Sequence, residues 1–365
     1  MLNPLSLTIQ APQLTTEVIF EKGMLDQHNW FSYLREVSHQ YALIADRKIQ
    51  FLGEYLTKKL LREGFEVLFL PIDASEANKS REQKEFLEEQ LIEHHMGRET
   101  AVLALGGGVT TDLAGFVAAT YCRGIPLLSI PTTLLGMVDA SLGGKVAINT
   151  KKGKNMIGAF HHPRYVFIDT ATLTTLPQSE KLKGFSEMIK YSLIGSEELF
   201  EAFSAKNALE QMDDRYIRLC CEIKMGVVKQ DPHEKGLRRI LNFGHTVGHA
   251  LEVASGYQLA HGYAIAIGMI AESFLSYRLG YLSENTFDRI ESLIRGYGFP
   301  LHIPTDIGLE QCMENLRRDK KTSLKATRCV ILKGIGQVAA FDGDYCTEIT
   351  SELWCETFQW CYERF

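Results

Sequence analysis

The chain has 365 residues, of which 45% are hydrophobic and 23% charged, and carries a formal net charge of -6. This length exceeds one ordinary core and suits two domains or one large α/β domain, while the composition excludes a disordered or membrane-embedded chain. A net acidic protein lacks the concentrated basic surface that nucleic-acid phosphates require, so no nucleic-acid partner is expected and an anionic ligand must meet a local basic cluster. Eight cysteines without a CxxC pair read as free thiols in a reducing, cytoplasmic compartment. The opening MLNPLSLTIQAPQ has no basic or sustained apolar region, and no later run reaches the ~18 apolar residues of a spanning helix, so neither export signal nor membrane anchor is expected.

Val18 to Phe20 is a short strand, and YALIAD is a second that ends in Asp46. A carboxylate at the carboxyl end of a parallel strand sits where open α/β sheets bind ligands. LGEYLTKKLLREGF is helical and closed by Gly64, EVLFLP is the next strand, and an amphipathic helix with Leu87, Leu91 and Ile92 on its apolar face follows a polar loop. Strand Ala101 to Leu105 then runs into Gly106, Gly107 and Gly108, and Asp112 opens a helix of small residues. Glycines admit close approach of a bulky ligand, and a helix N-terminus favours phosphate. The pattern is not GxGxxG, and alone it reads equally as a tight strand-to-helix turn.

After a further strand, Thr132 and Thr133 lead into a long polar, glycine-rich loop carrying Asp139, Lys145, Lys154 and Asn155. A loop of this length in a compact domain is usually functional, and its cations suit an anionic substrate, although lysines are also ordinary solvated charges. YVFIDTATLTTLP is the last strand. Beyond Pro177 apolar residues recur at helical spacing, which divides the chain into an α/β part, 1–177, and a mainly helical part, 178–365. In the second part Glu187 and Lys190 share a helix face, either as a surface pair or as a metal carboxylate beside a substrate-binding ammonium. In LNFGHTVGHALEVASGYQLAH, His245 and His249 are four apart on one face and His261 lies just past the helix end. Such histidines also occur as hydrogen-bonded core residues, but with a carboxylate from elsewhere they would suit zinc with one position open. Trp354 and Trp360 are given a packing role.

Together GGGVTTDLAGFVAATYCRG, PTTLLGMVDASLGGKVAINTKKGKNMIGAFHHP, FSEMIKYSLI and GLRRILNFGHTVGHALE resemble the 3-dehydroquinate synthase family, from Asp46 to about Asp319. The resemblance implies an N-terminal α/β domain with a Rossmann-like parallel sheet that binds NAD, then an all-α domain that binds a divalent metal, zinc or cobalt. It places the metal ligands on Glu187, His245 and His261, which corrects the simple HxxxH reading: His249 becomes a residue beside the substrate that manages protons. Substrate-binding positions fall on Asp139, Lys145, Asn155, Lys190, Lys224, Arg238, Asn242 and His249. Of these, Lys145, Lys190, Arg238, Asn242 and His249 are the catalytic set. Arg123 matches an arginine that reaches the partner subunit's site, implying a homodimer. NAD-binding positions are Asp46, Glu76, Lys79, Gly107, Gly108, Asp112, Thr132, Thr133, Lys145, Lys154 and Thr175.

The implied reaction converts 3-deoxy-D-arabino-heptulosonate 7-phosphate (DAHP) to 3-dehydroquinate and phosphate, in the shikimate pathway of aromatic amino-acid biosynthesis. It proceeds by transient NAD-mediated oxidation, phosphate elimination, reduction and intramolecular aldol closure. The sequence departs from the family pattern at Pro232, Lys48 and Thr110 or Thr111. These leave open a cyclase of another sugar phosphate. A metal- and NAD-dependent polyol dehydrogenase is the rival class, but it has no need of the basic set Lys145, Lys190, Lys224 and Arg238. A non-catalytic scaffold would have no reason to keep three ligand positions.

Overall fold

Consecutive apolar residues in TAVLALG leave neither face of that strand polar, as an interior strand of a sheet covered on both sides requires. The computed structural model describes residues 15–150, 153–205, 208–304, 307–318 and 327–365, and the N-terminal segment read for a leader lies outside them. Its strands are β1 (Glu17–Phe20), β2 (Gln40–Asp46), β3 (Glu66–Ile72), β4 (Thr100–Gly106), β5 (Leu127–Pro131), the hairpin pair β6 (Lys145–Thr150) and β7 (Gly153–Phe160), and β8 (Tyr165–Ile168). Six of them form one parallel sheet in the order β1-β8-β5-β4-β2-β3, with β4 buried throughout. Helices α1 (Phe31–Arg35), α2 (Gln50–Arg62), α3 (Arg81–Glu93) and α4 (Gly108–Thr120) accompany it. From β2 the chain moves outward to β3, and from β4 it moves the other way to β5. The gap between the carboxyl ends of β2 and β4 is therefore the switch point at which such sheets bind ligands, and Asp46 and Gly106 stand on either side of it.

The segment read as a long polar loop is in part the β6–β7 hairpin. Val146 and Ile148 of β6 are buried over α4, and a Cβ on Gly115 of α4 would lie 2.4 Å from Val146 Cγ1, so the missing side chain permits this contact.

The remainder is mainly helical: α5 (Gln178–Gly195), α6 (Glu197–Ser204), α7 (Asp214–Gln230), α8 (His245–Ala254), α9 (His261–Arg278), α10 (Glu284–Gly296), α11 (Leu309–Arg318) and α12 (Ser351–Arg364). Two short antiparallel ribbons add to the all-α expectation: β9 (Thr327–Cys329) with β12 (Thr347–Ile349), and β10 (Leu332–Gly334) with β11 (Gln337–Val338). Each is too short to announce itself by alternation. His261 heads a helix of its own, so it does not trail the one bearing His245. The core is continuous across the two parts, since Leu134, Val166 and Ile168 pack in one cluster with Phe185, Met188 and Ile189. Trp354 is buried and Trp360 stacks on Phe274 with ring centroids 4.2 Å apart, both in packing roles. All eight cysteines are free. Among the described residues no helix is long and apolar enough to cross a membrane.

Glycines let α5, α8 and α9 approach one another closely. A Cβ on Gly268 would sit 1.9 Å from the Gly244 carbonyl oxygen, and one on Gly262 would sit 2.4 Å from that of Lys183. Glu272, fully buried in α9, accepts the N–H groups of Gly244 (2.8 Å) and Val247 (3.1 Å), which fixes the first turn of α8 against α9. Gly268→Ala should therefore cost about 1–3 kcal/mol of stability in denaturant titration, because neither backbone can give way. Gly226→Ala, on a face of α7 where nothing lies within 4 Å, should be neutral or gain up to about 1 kcal/mol from helix propensity. Equal effects of the two changes would contradict the close-packed glycine interface.

Candidate active site

The three tightly packed helices each bring one donor to a common point. Glu187 of α5 is 0% exposed, and its Oε1 lies 3.5 Å from His245 Nε2 and 3.5 Å from His261 Nε2. Its Oε2 faces the Lys190 ammonium one turn along the same helix. Neither carboxylate oxygen has a well-aligned hydrogen bond. The other nitrogens of the two imidazoles settle which way the rings point their lone pairs. His245 Nδ1 is 3.1 Å from the Phe243 carbonyl oxygen and His261 Nδ1 is 3.1 Å from Glu252 Oε2, both of which only accept, so each Nδ1 carries a hydrogen. In neutral rings both Nε2 lone pairs then aim at a carboxylate oxygen, an arrangement that is repulsive unless a cation lies between.

A tetrahedral ion with bonds of ~2.1 Å holds its ligand atoms roughly 3.4 Å apart. Glu187, His245 and His261 form one group with metal-ligand spacing, and this N/O donor set fits a zinc-like ion. Burial keeps the His245 imidazole neutral, down at about 3. Burial opposes ionisation of Glu187 as well, but Lys190 and then His245 outweigh it and hold the carboxyl at about 2. For His261 burial is again the largest influence and lowers it, yet Glu187 and Glu252 together raise it to about 10. His249 stays outside this group, its ring centroid 5.2 Å from that of His245, and instead lines the adjoining cleft.

That cleft, of about 1310 Å³, opens at the switch point of the sheet and runs to the helices. From the expected positions it collects Asp46, Glu76, Lys79, Gly107, Gly108, Asp112, Thr133, Asp139, Lys154, Asn155, His249 and His261. Gly107 caps α4, so the first N–H groups of that helix face the cleft. Buried Lys79 ties Asp112 (2.5 Å) to the Asn155 amide oxygen (2.6 Å) and so fixes the hairpin against the glycine turn. Lys154 crosses between Glu76 (3.9 Å) and Glu252 (3.4 Å), over the Tyr257 ring at 4.3 Å. Thr132 is buried behind the wall, its N–H on the Gly106 carbonyl, and exposed Thr175 is not among the lining residues.

Behind the metal group lies a buried charge network. Asp139 accepts from Lys224 (2.6 Å) and the Tyr191 hydroxyl (2.6 Å), and lies 4.0 Å from Lys190. Burial works against its charge, but Lys224 and Lys190 prevail and hold it well below the ordinary carboxyl range. A neighbouring cluster joins the remaining expected residues: Glu234 pairs with Lys145 and accepts from Asn242 (2.7 Å), while buried Arg238 donates to the carbonyls of Pro232 (2.7 Å) and Gly143 (2.9 Å). Arg238 Nε is buried without a partner. Lys145, Arg238 and Asn242 therefore sit beside the cleft and do not line it. Arg123 is exposed, stands at positive φ beside Cys122, also at positive φ, and does not line the cleft.

The departures at Pro232 and Lys48 leave local order intact. Asp231 accepts three backbone N–H groups, from Lys235, Gly236 and Arg238, and Lys48 donates its own N–H to Asp46. Sequence reasoning missed Glu252, Glu234, Tyr191 and Glu272. Glu252 had a usable signal, because His245, His249 and Glu252 recur at i, i+4 and i+7 on one helix face. Glu272 was a lone carboxylate in an apolar helix. Glu234 and Tyr191 had no local signal.

The N-terminal model of 3-dehydroquinate synthase matches residues 69–183 and the C-terminal model residues 184–322. The chain belongs to the 3-dehydroquinate synthase family. A 3-dehydroquinate synthase of Desulforamulus reducens is 42% identical over 336 residues, which cover 89% of this chain and 92% of that relative. Among solved structures, 2-epi-5-epi-valiolone synthase from Streptomyces hygroscopicus with NAD+ and Zn2+ bound superposes with a TM-score of 0.88 at 26% identity, covering 99% of this chain and 100% of that one. A 2-deoxy-scyllo-inosose synthase complexed with carbaglucose-6-phosphate, NAD+ and Co2+ gives 0.85 at 28% identity, over 95% and 96%.

His245→Ala should abolish stoichiometric metal, measured by elemental analysis after dialysis, whereas His249→Ala should keep one equivalent. Metal retained by the first variant, or lost by the second, would reverse the ligand assignment.

Proposed function

We propose that this chain converts DAHP to 3-dehydroquinate and phosphate, as a phosphorus–oxygen lyase that uses NAD and one divalent metal. The observation that carries this reading is the junction of a nucleotide-type cleft with a Glu187, His245 and His261 donor group and a buried basic set. Its support from relatives is the family membership and the high coverage. When bound, NAD supplies transient oxidation and re-reduction of a substrate carbinol, and the metal polarises substrate oxygens as a Lewis acid.

The chain's own residues supply position and charge. Residues 1–177 hold the nucleotide on the glycine turn, with Asp46, Glu76, Lys79, Asp112, Thr133 and Lys154 around it. Residues 178–365 hold the metal and the anionic substrate. Lys190 and Lys224, kept in place by Asp139, and Lys145 with Arg238 and Asn242 present fixed donors to carboxylate and phosphate, where preorganised charge is most effective. Glu234 holds Lys145 and Asn242 until an anion competes for them. We assign His249, on the cleft wall beside His261, to proton relay, a task for which an imidazole offers a donor and an acceptor nitrogen. Arg123, exposed and not lining its own cleft, serves the site of a second subunit in a homodimer. The enzyme works in the cytoplasm.

Phosphate release from DAHP by purified protein with NAD, with and without chelator, tests this reading. Release that requires metal, accompanied by the carbocyclic product and no net NADH, is the expected result. Accumulating NADH without phosphate release would contradict it in favour of a polyol dehydrogenase, and activity only on another sugar phosphate would move the substrate. Arg238→Ala should keep one equivalent of metal yet lower kcat/KM about 10²-fold or more, in line with loss of a fixed donor to a developing charge. Unchanged kinetics would remove Arg238 from the site.

A further inference from the structure

Glu252 is used by none of the roles above, yet it is a carboxylate only 4% exposed at the meeting point of the two halves of the site. It is carried on α8 two turns after His245, and its two oxygens diverge. Oε2 lies 3.1 Å from Nδ1 of His261, and Oε1 lies 3.4 Å from the Lys154 ammonium. The helix that presents His245 thus also presents the group that touches the far nitrogen of His261, on the next helix. His245 has only a backbone carbonyl in the equivalent place.

We propose that Glu252 is the positioning residue of the metal centre, fixing His261 as the Nδ1–H tautomer with its Nε2 lone pair turned toward Glu187. The proposal rests on the reading of Glu187, His245 and His261 as the ligands. A carboxylate can only accept, so it admits one ring orientation, and it makes the opposite nitrogen a stronger donor to a cation. Lys154 is its counter-ion and allows the charge to stay buried. Because Lys154 also faces Glu76 on the nucleotide side, the same carboxylate joins the cleft to the metal group.

Glu252, His249 and His261 also form a second group with metal-ligand spacing, which offers the competing role of direct ligand at another ion. Stoichiometry separates the two. Co2+ titration of the full-length apoprotein, followed by its visible absorbance, should give one tight site. Glu252→Gln keeps the shape and removes the charge, and should weaken that site about 10–100-fold, with Glu252→Asp restoring part of the loss. An E252Q dissociation constant within twofold of wild type would overturn the proposal, as would two equivalents in wild type of which E252Q loses one.

His245→Ala in the same titration tests the underlying site separately: if it binds Co2+ like wild type, the ligand reading fails, whatever Glu252 does. A measurement on unaltered protein guards against variants that misfold. In the Zn2+-loaded, histidine-labelled wild type, nitrogen-detected NMR should show His261 protonated at Nδ1 and bare at Nε2. The opposite tautomer would overturn the assignment.

Discussion

A fully buried carboxylate is the constraint on which this molecule depends. Glu187 has no water to solvate it, and an isolated buried anion costs many kcal/mol unless it is paired or ligates a metal. Lys190 answers one oxygen. The other is met by two imidazole nitrogens, whose lone pairs in the neutral rings can share it only through a cation. Three helices must then converge within a few ångströms, and Gly262 and Gly268 provide the room. Glu272 secures the start of α8 in the same interface, so the requirements of packing and of ligation coincide.

The sheet imposes the second constraint. Its chain order reverses between β2 and β4, which opens a crevice at their carboxyl ends, and Gly107 places the N-terminus of α4 there. The hairpin β6–β7 closes over α4 and is locked by Lys79 between Asp112 and Asn155. Through Lys154 this wall reaches Glu252 and thereby His261. The two parts of the chain share one continuous core, so the cleft is lined from both sides without a separate linker.

Much of this is legible in the residues because it depends on local periodicity. Buried parallel strands are apolar runs, and β2, β3, β4, β5 and β8 stand out as such between helical segments. Glu187, His245 and His261, inferred as ligands through family resemblance, are brought together by the fold. Spacing alone favoured His249, because helical geometry shows which residues share a face but cannot show which helix packs opposite. The same limit hid Tyr191 and the contact of Glu252 with His261, since the partners lie on other elements. The hairpin was concealed because Gly143 and Gly144 precede it and Gly153 and Lys154 open its second strand, although alternate residues of β6 are apolar. Arg238, Lys145 and Asn242 were inferred as substrate positions through family resemblance, but the hold of Glu234 on Lys145 and Asn242 had no signal in the sequence.

One cation held by side chains from three helices around Glu187 is what the proposed chemistry requires. Anomalous diffraction at a metal absorption edge, from crystals grown with Zn2+ and NAD, tests it most directly. One peak per chain is expected, within bonding distance of a Glu187 carboxylate oxygen and of Nε2 of His245 and His261. A peak among His249, Glu252 and His261 instead, or none in crystals whose protein carries stoichiometric zinc, would contradict it.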